Sequence, residues 1–80
     1  MNAPVGTNAI RKRSVRLAGH RTSVSIEEPF WTELAAIAKN RGLSLDRLIA
    51  HIDQEREGNL SSAIRLYVLT ELKKQSPKPS

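Results

Sequence analysis

Two sets of side chains alternate within one short stretch of the sequence. The odd positions carry an arginine and two serines, which are Arg21, Ser23 and Ser25. The even positions carry β-branched side chains, which are Thr22, Val24 and Ile26. A period of two predicts a β-strand, here at 20–27, with one exposed face and one buried face. The guanidinium and the two hydroxyls could hydrogen-bond together to one polar ligand or groove, since the packing of the strand does not require them.

A strand at 20–27 needs a partner strand for its backbone donors and acceptors. The run at 13–17 alternates only weakly, and its apolar residues stand at odd positions, so a break is expected at Ala18 and Gly19. This run predicts a short extra strand or an ordered arm. We therefore expect residues 21–26 to pair antiparallel with the same residues of a second copy. The side chains expected at that homodimer interface are Thr22, Val24, Ile26, Leu48, Ile49 and Ile52.

The charges are distributed unevenly along the chain. Thirteen Lys and Arg stand against eight Asp and Glu, a formal charge of +5. All eight acids lie from Glu27 onward, whereas a stretch of eleven residues without acids carries Arg11, Lys12, Arg13, Arg16 and Arg21. Such asymmetry indicates an N-terminal surface that faces a polyanion. A solvated basic tail is the alternative interpretation.

Three helices are predicted after the strand, at 29–41, 44–57 and 60–74. Pro29 suits a first helical turn, Gly42 a helix end, and Ser44 and Asn59 the N-caps of the second and third helices. Apolar residues cover so wide an arc of the third helix that it should pack on its own subunit and on a partner. Aromatic residues in the first helix favour core packing over stacking on nucleobases.

The chain is expected to form one domain at 13–75, between a disordered basic arm at 1–12 and a disordered tail at 76–80. It contains no cysteine, which excludes a disulfide scaffold and fits a reducing cytoplasm. No run is long enough for a membrane span.

No constellation of residues predicts an enzyme. The two histidines, His20 and His51, stand far apart, and no cysteine can complete a metal site. The acids at 53, 55 and 57 fit a solvated, ion-paired surface. We therefore expect no catalytic residue, no metal and no cofactor.

The order of strand, helix, glycine-containing turn and capped helix resembles the ribbon-helix-helix family of DNA-binding proteins. The residues that carry this resemblance lie at 21–26, 29–31, 34, 37–38, 42–45 and 48–49. Further stretches, at 12–17 followed by 19–25 and at 59–66, are similar to an uncharacterised bacterial subgroup of that family. The general resemblance covers about residues 20–57, and the narrower one roughly 11–70.

The resemblance implies a mainly α fold with a short β-ribbon: an intertwined homodimer with an intermolecular antiparallel ribbon and an additional C-terminal helix. The ribbon would enter the DNA major groove, with base contacts from Arg21, Ser23 and Ser25. The residues expected to contact phosphate are Arg11, Lys12, Arg13, Arg16 and His20, and at the start of the second helix Leu43, Ser44 and Leu45.

The expected function is sequence-specific binding of double-stranded DNA by a cytoplasmic, nucleoid-associated transcriptional regulator, with further copies able to assemble on the DNA. The alternative is an antitoxin-like or adaptor protein that uses the same dimer to bind another protein. Two features support this alternative. The third helix is unusually apolar, and the two strand serines discriminate only weakly between bases.

Overall fold

A computed structural model describes residues 9–75, which form a two-stranded antiparallel sheet followed by three helices. The elements are β1 (Ile10–Leu17), β2 (His20–Glu27), α1 (Glu28–Asn40), α2 (Leu45–Glu55) and α3 (Leu60–Gln75). Residues 10–12, which were predicted to belong to the basic arm, are part of β1. This strand therefore begins three residues before the predicted strand at 13–17. The rest of that arm, except for residue 9, and the predicted tail at 76–80 lie outside the described residues.

Within the chain, β2 pairs antiparallel with β1. The two strands are joined by Ala18 and Gly19, whose φ angles are +52° and +83°. Positive φ at both central residues is the geometry of a type I′ turn, which matches the right-handed twist of paired strands. This turn places Val15 opposite Thr22, so the apolar residues of β1 and β2 share a face although their numbers differ in parity. It forms the break that the sequence predicts.

Ala18 is an unfavourable residue for this turn, because an L-amino acid with a Cβ is strained at positive φ. We expect Ala18→Asn to raise the free energy of unfolding by about 1 kcal/mol, since asparagine tolerates the left-handed region. A urea titration followed by circular dichroism measures the change. Ala36→Asn, on the exposed side of α1, is the control and should destabilise slightly. A loss of stability in Ala18→Asn would contradict a type I′ turn.

One face of the hairpin and all three helices form a single apolar core. Its buried members are Val15, Leu17, Val24, Ile26, Trp31, Leu34, Ile37, Ala38, Leu48, Ile49, Ile52, Ile64 and Val68. Most of the side chains expected at the dimer interface belong to this core. Five of the six side chains expected there are buried within one chain, and the sixth, Thr22, is half-buried. Within the chain, α3 and β1 supply the cover for these side chains.

Trp31 fixes β1 to α1. Its side chain is 2% exposed, and its indole Nε1 donates a hydrogen bond of 2.9 Å to the backbone oxygen of Arg11. The guanidinium of Arg13 lies 5.3 Å from the centre of the indole ring, within the range of a cation–π contact. Core packing, not base stacking, is therefore the role of this aromatic residue.

α3 packs alongside the rest of the chain and contacts the end of β2. Asn59 caps the helix, because its Oδ1 accepts a hydrogen bond of 2.8 Å from the backbone N–H of Ser62. Arg65 donates two hydrogen bonds, of 2.8 and 3.1 Å, to the carboxylate of Glu27. These bonds hold the pKa of Glu27 below its usual value, so the stabilisation from this ion pair is present at neutral pH and is lost as the pH falls through that lowered pKa.

Candidate nucleic-acid interface

The outward face of the hairpin carries four cross-strand pairs. Ile10 with Glu27 lies farthest from the turn, and the three pairs nearer the turn are entirely polar: Lys12 with Ser25, Ser14 with Ser23, and Arg16 with Arg21. All six residues are exposed, because the opposite face of both strands packs on the helices. These six residues carry three positive charges and no acid. We call these six residues the basic ribbon face.

The pairs of the basic ribbon face bring their side chains close together. Leu17 and His20 flank the two-residue turn and therefore form a hydrogen-bonded pair. At the other end of the hairpin, the N–H of Glu28 donates to the oxygen of Ala9, which marks a second hydrogen-bonded pair. Hydrogen-bonded pairs alternate with non-hydrogen-bonded pairs between these two ends, so they involve the odd-numbered residues of β1. The pairs of the basic ribbon face are therefore the non-hydrogen-bonded ones, whose Cα atoms stand about 4.5 Å apart.

Arg16 and Arg21 are the pair in which this proximity is unfavourable. Like charges directly opposite each other destabilise a sheet. Among residues 9–75, neither guanidinium forms an ion pair with a carboxylate. A negative charge near the two guanidinium groups would reduce this repulsion.

The basic residues between positions 11 and 21 are close together in the sequence, but the strands place them on two different faces of the sheet. Lys12 and Arg16 share the basic ribbon face with Arg21, whereas Arg11 and Arg13 stand on the opposite parity. The Nε of Arg11 lies 3.3 Å from Oε1 of Glu28, and Arg13 contacts the indole described above. His20 is paired with Leu17, also on the parity opposite to Arg21. Three of the predicted phosphate contacts are thus separated from the predicted base contacts.

The start of α2 lies beside the turn end of the hairpin. Asp46, in the first turn of α2, lines a shallow cavity of about 240 Å³ together with Ser14, Val15, Arg16 and Arg21. The positive end of the helix dipole and the acidic Asp46 therefore both lie near the two arginines. Asp46, which follows the predicted helix-start residues Leu43, Ser44 and Leu45, thus lies beside the basic ribbon face.

Hydrogen bonds within the chain already use some of the groups at the start of α2 that were predicted to contact a phosphate. Ser44 is the N-cap, as predicted, and its hydroxyl accepts a hydrogen bond of 3.1 Å from the backbone N–H of Arg47. The backbone N–H of Leu43 donates to the oxygen of Ala38 at 2.9 Å. Leu45, the first residue of the helix, is the predicted contact whose backbone N–H stands at an orphan position.

Sequence reasoning missed Ser14 and the pairing of Arg16 with Arg21. Ala18 and Gly19 contained the signal, because a two-residue hairpin turn fixes every cross-strand pair by counting outward from it. Residue 16 then falls opposite residue 21, and 14 opposite 23.

α3 occupies part of the edge that an intermolecular ribbon would use. In the pairing described above, the N–H and C=O groups of Arg21, Ser23 and Ser25 point away from β1. The hydroxyl of Ser61 in α3 donates a hydrogen bond of 3.1 Å to the oxygen of Ser25. In this conformation, a ribbon between copies over the whole of 21–26 would have to displace that contact.

The sequence matches the ribbon-helix-helix domain family over residues 10–72. This chain belongs to that family. The fold is also similar to a solved structure, an uncharacterized protein from Bordetella pertussis Tohama I, with a TM-score of 0.78 and 29% sequence identity. That match covers 91% of this chain and 63% of the other, so this chain spans less than two thirds of the length of its structural relative. No protein of curated function matches the sequence.

Membership of the ribbon-helix-helix family indicates a DNA-binding regulator or an antitoxin, and the family domain is typically regulatory and not enzymatic. Within residues 9–75, no helix of this ribbon-helix-helix protein is both long enough and apolar enough to cross a membrane. In the same part of the chain, no group of three His, Asp or Glu side chains is placed to hold a metal ion.

Proposed function

We propose that this ribbon-helix-helix protein binds double-stranded DNA in a sequence-specific way and regulates transcription on the bacterial chromosome. The observation that carries the proposal is the basic ribbon face, six exposed polar residues with three positive charges and no acid. A solvated face without function has no need to place two arginines opposite each other.

The dimensions of the hairpin suit the major groove. Paired strands stand about 4.8 Å apart, and the major groove of B-DNA is about 12 Å wide and admits a two-stranded ribbon. Arg21 and Arg16 can each bind a guanine through two hydrogen bonds, and Ser23 and Ser25 can bond to several bases.

The remaining cations take different roles in this proposal. Lys12 and the start of α2 contact phosphates and set the position of the ribbon without reading sequence. Arg11 and Arg13 fix β1 to α1 through Glu28 and Trp31, and they lie on the side of the sheet turned away from the bases. A homodimer would place two copies of the basic ribbon face on two half-sites of one duplex.

A second candidate function is favoured by a different surface. Leu66 and Leu69 of α3 are 64% and 51% exposed, which suits a contact with another protein. An antitoxin or adaptor would use this helix and would not need the hairpin to reach DNA.

Binding of random duplex DNA at a series of salt concentrations tests the proposal. We expect affinity to fall steeply with salt, and Lys12→Gln to reduce the slope of log K against log salt by about 0.9 for each phosphate that the variant no longer neutralises. Lys39→Gln, at the exposed end of α1, removes the same charge elsewhere and should leave the slope unchanged. An electrophoretic mobility assay gives both slopes.

Two results of this assay would count against DNA binding. Absence of binding even at low salt would favour the protein-interaction function. Equal slopes for the native chain and Lys12→Gln would show that the basic ribbon face does not meet phosphates.

A further inference from the structure

Two serines face each other at the centre of the basic ribbon face. Ser14 of β1 is paired with Ser23 of β2, and both residues are exposed. The pair lies between the pair that contains Lys12 and the pair of arginines. Among residues 9–75, neither serine hydroxyl takes part in a hydrogen bond. Within this part of the chain, both hydroxyls are therefore available to an external group.

The strand register brings these two hydroxyls within reach of a single nucleobase. Residues directly opposite each other in an antiparallel pair have Cβ atoms about 4.5–5.5 Å apart, and non-hydrogen-bonded pairs such as this one are at the close end. Each hydroxyl rotates about its Cα–Cβ bond and supplies one donor and two acceptor lone pairs. Two neighbouring polar atoms on the edge of one base can thus be contacted by one serine each.

We infer that Ser14 and Ser23 together read one adenine in the major groove. The inference rests on the proposed binding of DNA by the basic ribbon face. Among the four bases, adenine alone presents both a donor, the N6 amino group, and an acceptor, N7, in the major groove. Guanine presents two acceptors, cytosine one donor and thymine one acceptor. A pair of hydroxyls matches the adenine edge in the same way as the amide of an asparagine does.

A continuous chain of hydrogen bonds favours adenine over guanine at this pair. The N6 amino group donates to one serine oxygen, that hydroxyl donates to the second serine, and the second hydroxyl donates to N7. Each hydroxyl then donates once and accepts once, and hydrogen bonds in such a chain strengthen one another. Against guanine both hydroxyls would have to donate to the base, so their two oxygen atoms would face each other without a proton between them.

The neighbouring arginines determine where this adenine stands in the DNA site. Arg16 and Arg21 are the next outward pair toward the turn, two residues along each strand. Two residues of a strand span about 6.6 Å, which corresponds to about two base-pair steps of 3.4 Å. We therefore expect the adenine to lie within about two base pairs of a guanine that one of the arginines binds.

Selection of binding sites from a random duplex pool tests the inference. We expect the native chain to select an adenine near a guanine. Ser14→Ala should reduce the preference for that adenine roughly five- to tenfold, which is near the lower end for a bidentate contact to a base. Ser23→Ala should reduce the preference at the same position. The double variant should lose little more than either single variant, because the two hydroxyls act as one unit.

Two matched variants serve as controls. Ser14→Thr keeps the hydroxyl on a residue that suits a strand, so it should keep the preference for adenine. Ser25→Ala removes a hydroxyl from the same face, but one whose cross-strand partner is Lys12, so it should leave this adenine unchanged. The circular dichroism of every variant should match that of the native chain, because the replaced residues are exposed.

Modified bases test each hydrogen bond separately. In the selected duplex, 7-deazaadenine removes the N7 acceptor, and unsubstituted purine removes the N6 amino group. Each replacement should weaken binding of the native chain. Neither should weaken binding further when Ser14 and Ser23 are both alanine.

Three results would overturn the inference. A native motif without an adenine near the guanine would exclude this base as the ligand. Selection of the native motif by Ser14→Ala would show that this hydroxyl reads no base. Loss of preference at different positions in Ser14→Ala and Ser23→Ala would show that the two serines act separately. A native chain that selects no motif at all would overturn the proposed sequence-specific function, and this inference with it.

Discussion

Replacing both Arg16 and Arg21 with alanine should remove sequence preference and most DNA affinity while leaving the protein at least as stable. Each bidentate contact to guanine contributes roughly 1–3 kcal/mol of discrimination, so preference should disappear at the positions that the pair reads. The fold should gain up to about 1 kcal/mol, because two like charges no longer stand opposite each other. Selection of binding sites from a random duplex pool and a urea titration measure the two effects.

The matched control is the pair Arg11→Ala with Arg13→Ala. It removes the same charge from the same strand region, but from the side that contacts Glu28 and Trp31. This control should keep the selected motif and lose stability, the reverse of the first variant. Recovery of the same motif from the native chain and from the Arg16 and Arg21 variant would refute base reading by the hairpin.

Val24→Asp should abolish folding of a single chain. The side chain is 3% exposed and belongs to the core, where an unpaired carboxylate costs several kcal/mol. The total stability of a small domain is only about 5–15 kcal/mol, and a chain of this length falls near the lower end. Far-ultraviolet circular dichroism and the dispersion of amide proton shifts report the loss.

The neighbouring position supplies the comparison for this variant. Ser23→Asp introduces the same carboxylate one residue earlier, on the basic ribbon face. The chain should remain folded and bind DNA more weakly, because the acid lies where phosphates or bases would be. A folded Val24→Asp chain would mean that β2 does not pack as the structure describes.

The alternation of β2 was readable from the sequence because each of its faces has one chemical character. β1 was harder to read, since Arg11 and Arg13 hold positions on the core side where apolar residues would normally stand. Those arginines are accommodated by Glu28 and Trp31, which approach from α1. Local periodicity cannot reveal a contact that depends on where a helix packs.

The site was predictable in type but not in arrangement. The exposed positions of Arg21, Ser23 and Ser25 follow from strand geometry alone, and the structure keeps them together. Whether Arg16 joins them depends on the turn at Ala18 and Gly19. Apolar stripes show that a surface must be covered, but not which element covers it, so the cover that β1 and α3 provide could not be predicted from the stripes alone.

The attachment of α3 to β2 also bears on how the chain avoids aggregation. An open strand edge is a template for the addition of further strands. Ser61 covers the backbone oxygen of Ser25, and Arg65 holds the side chain of Glu27. The opposite edge of the sheet belongs to β1, where charged residues such as Lys12 and Arg16 discourage an incoming strand. A two-stranded sheet with open edges could add strands from other chains and form fibrils. In this protein, contacts from α3 at one edge and charged residues at the other disfavour that addition.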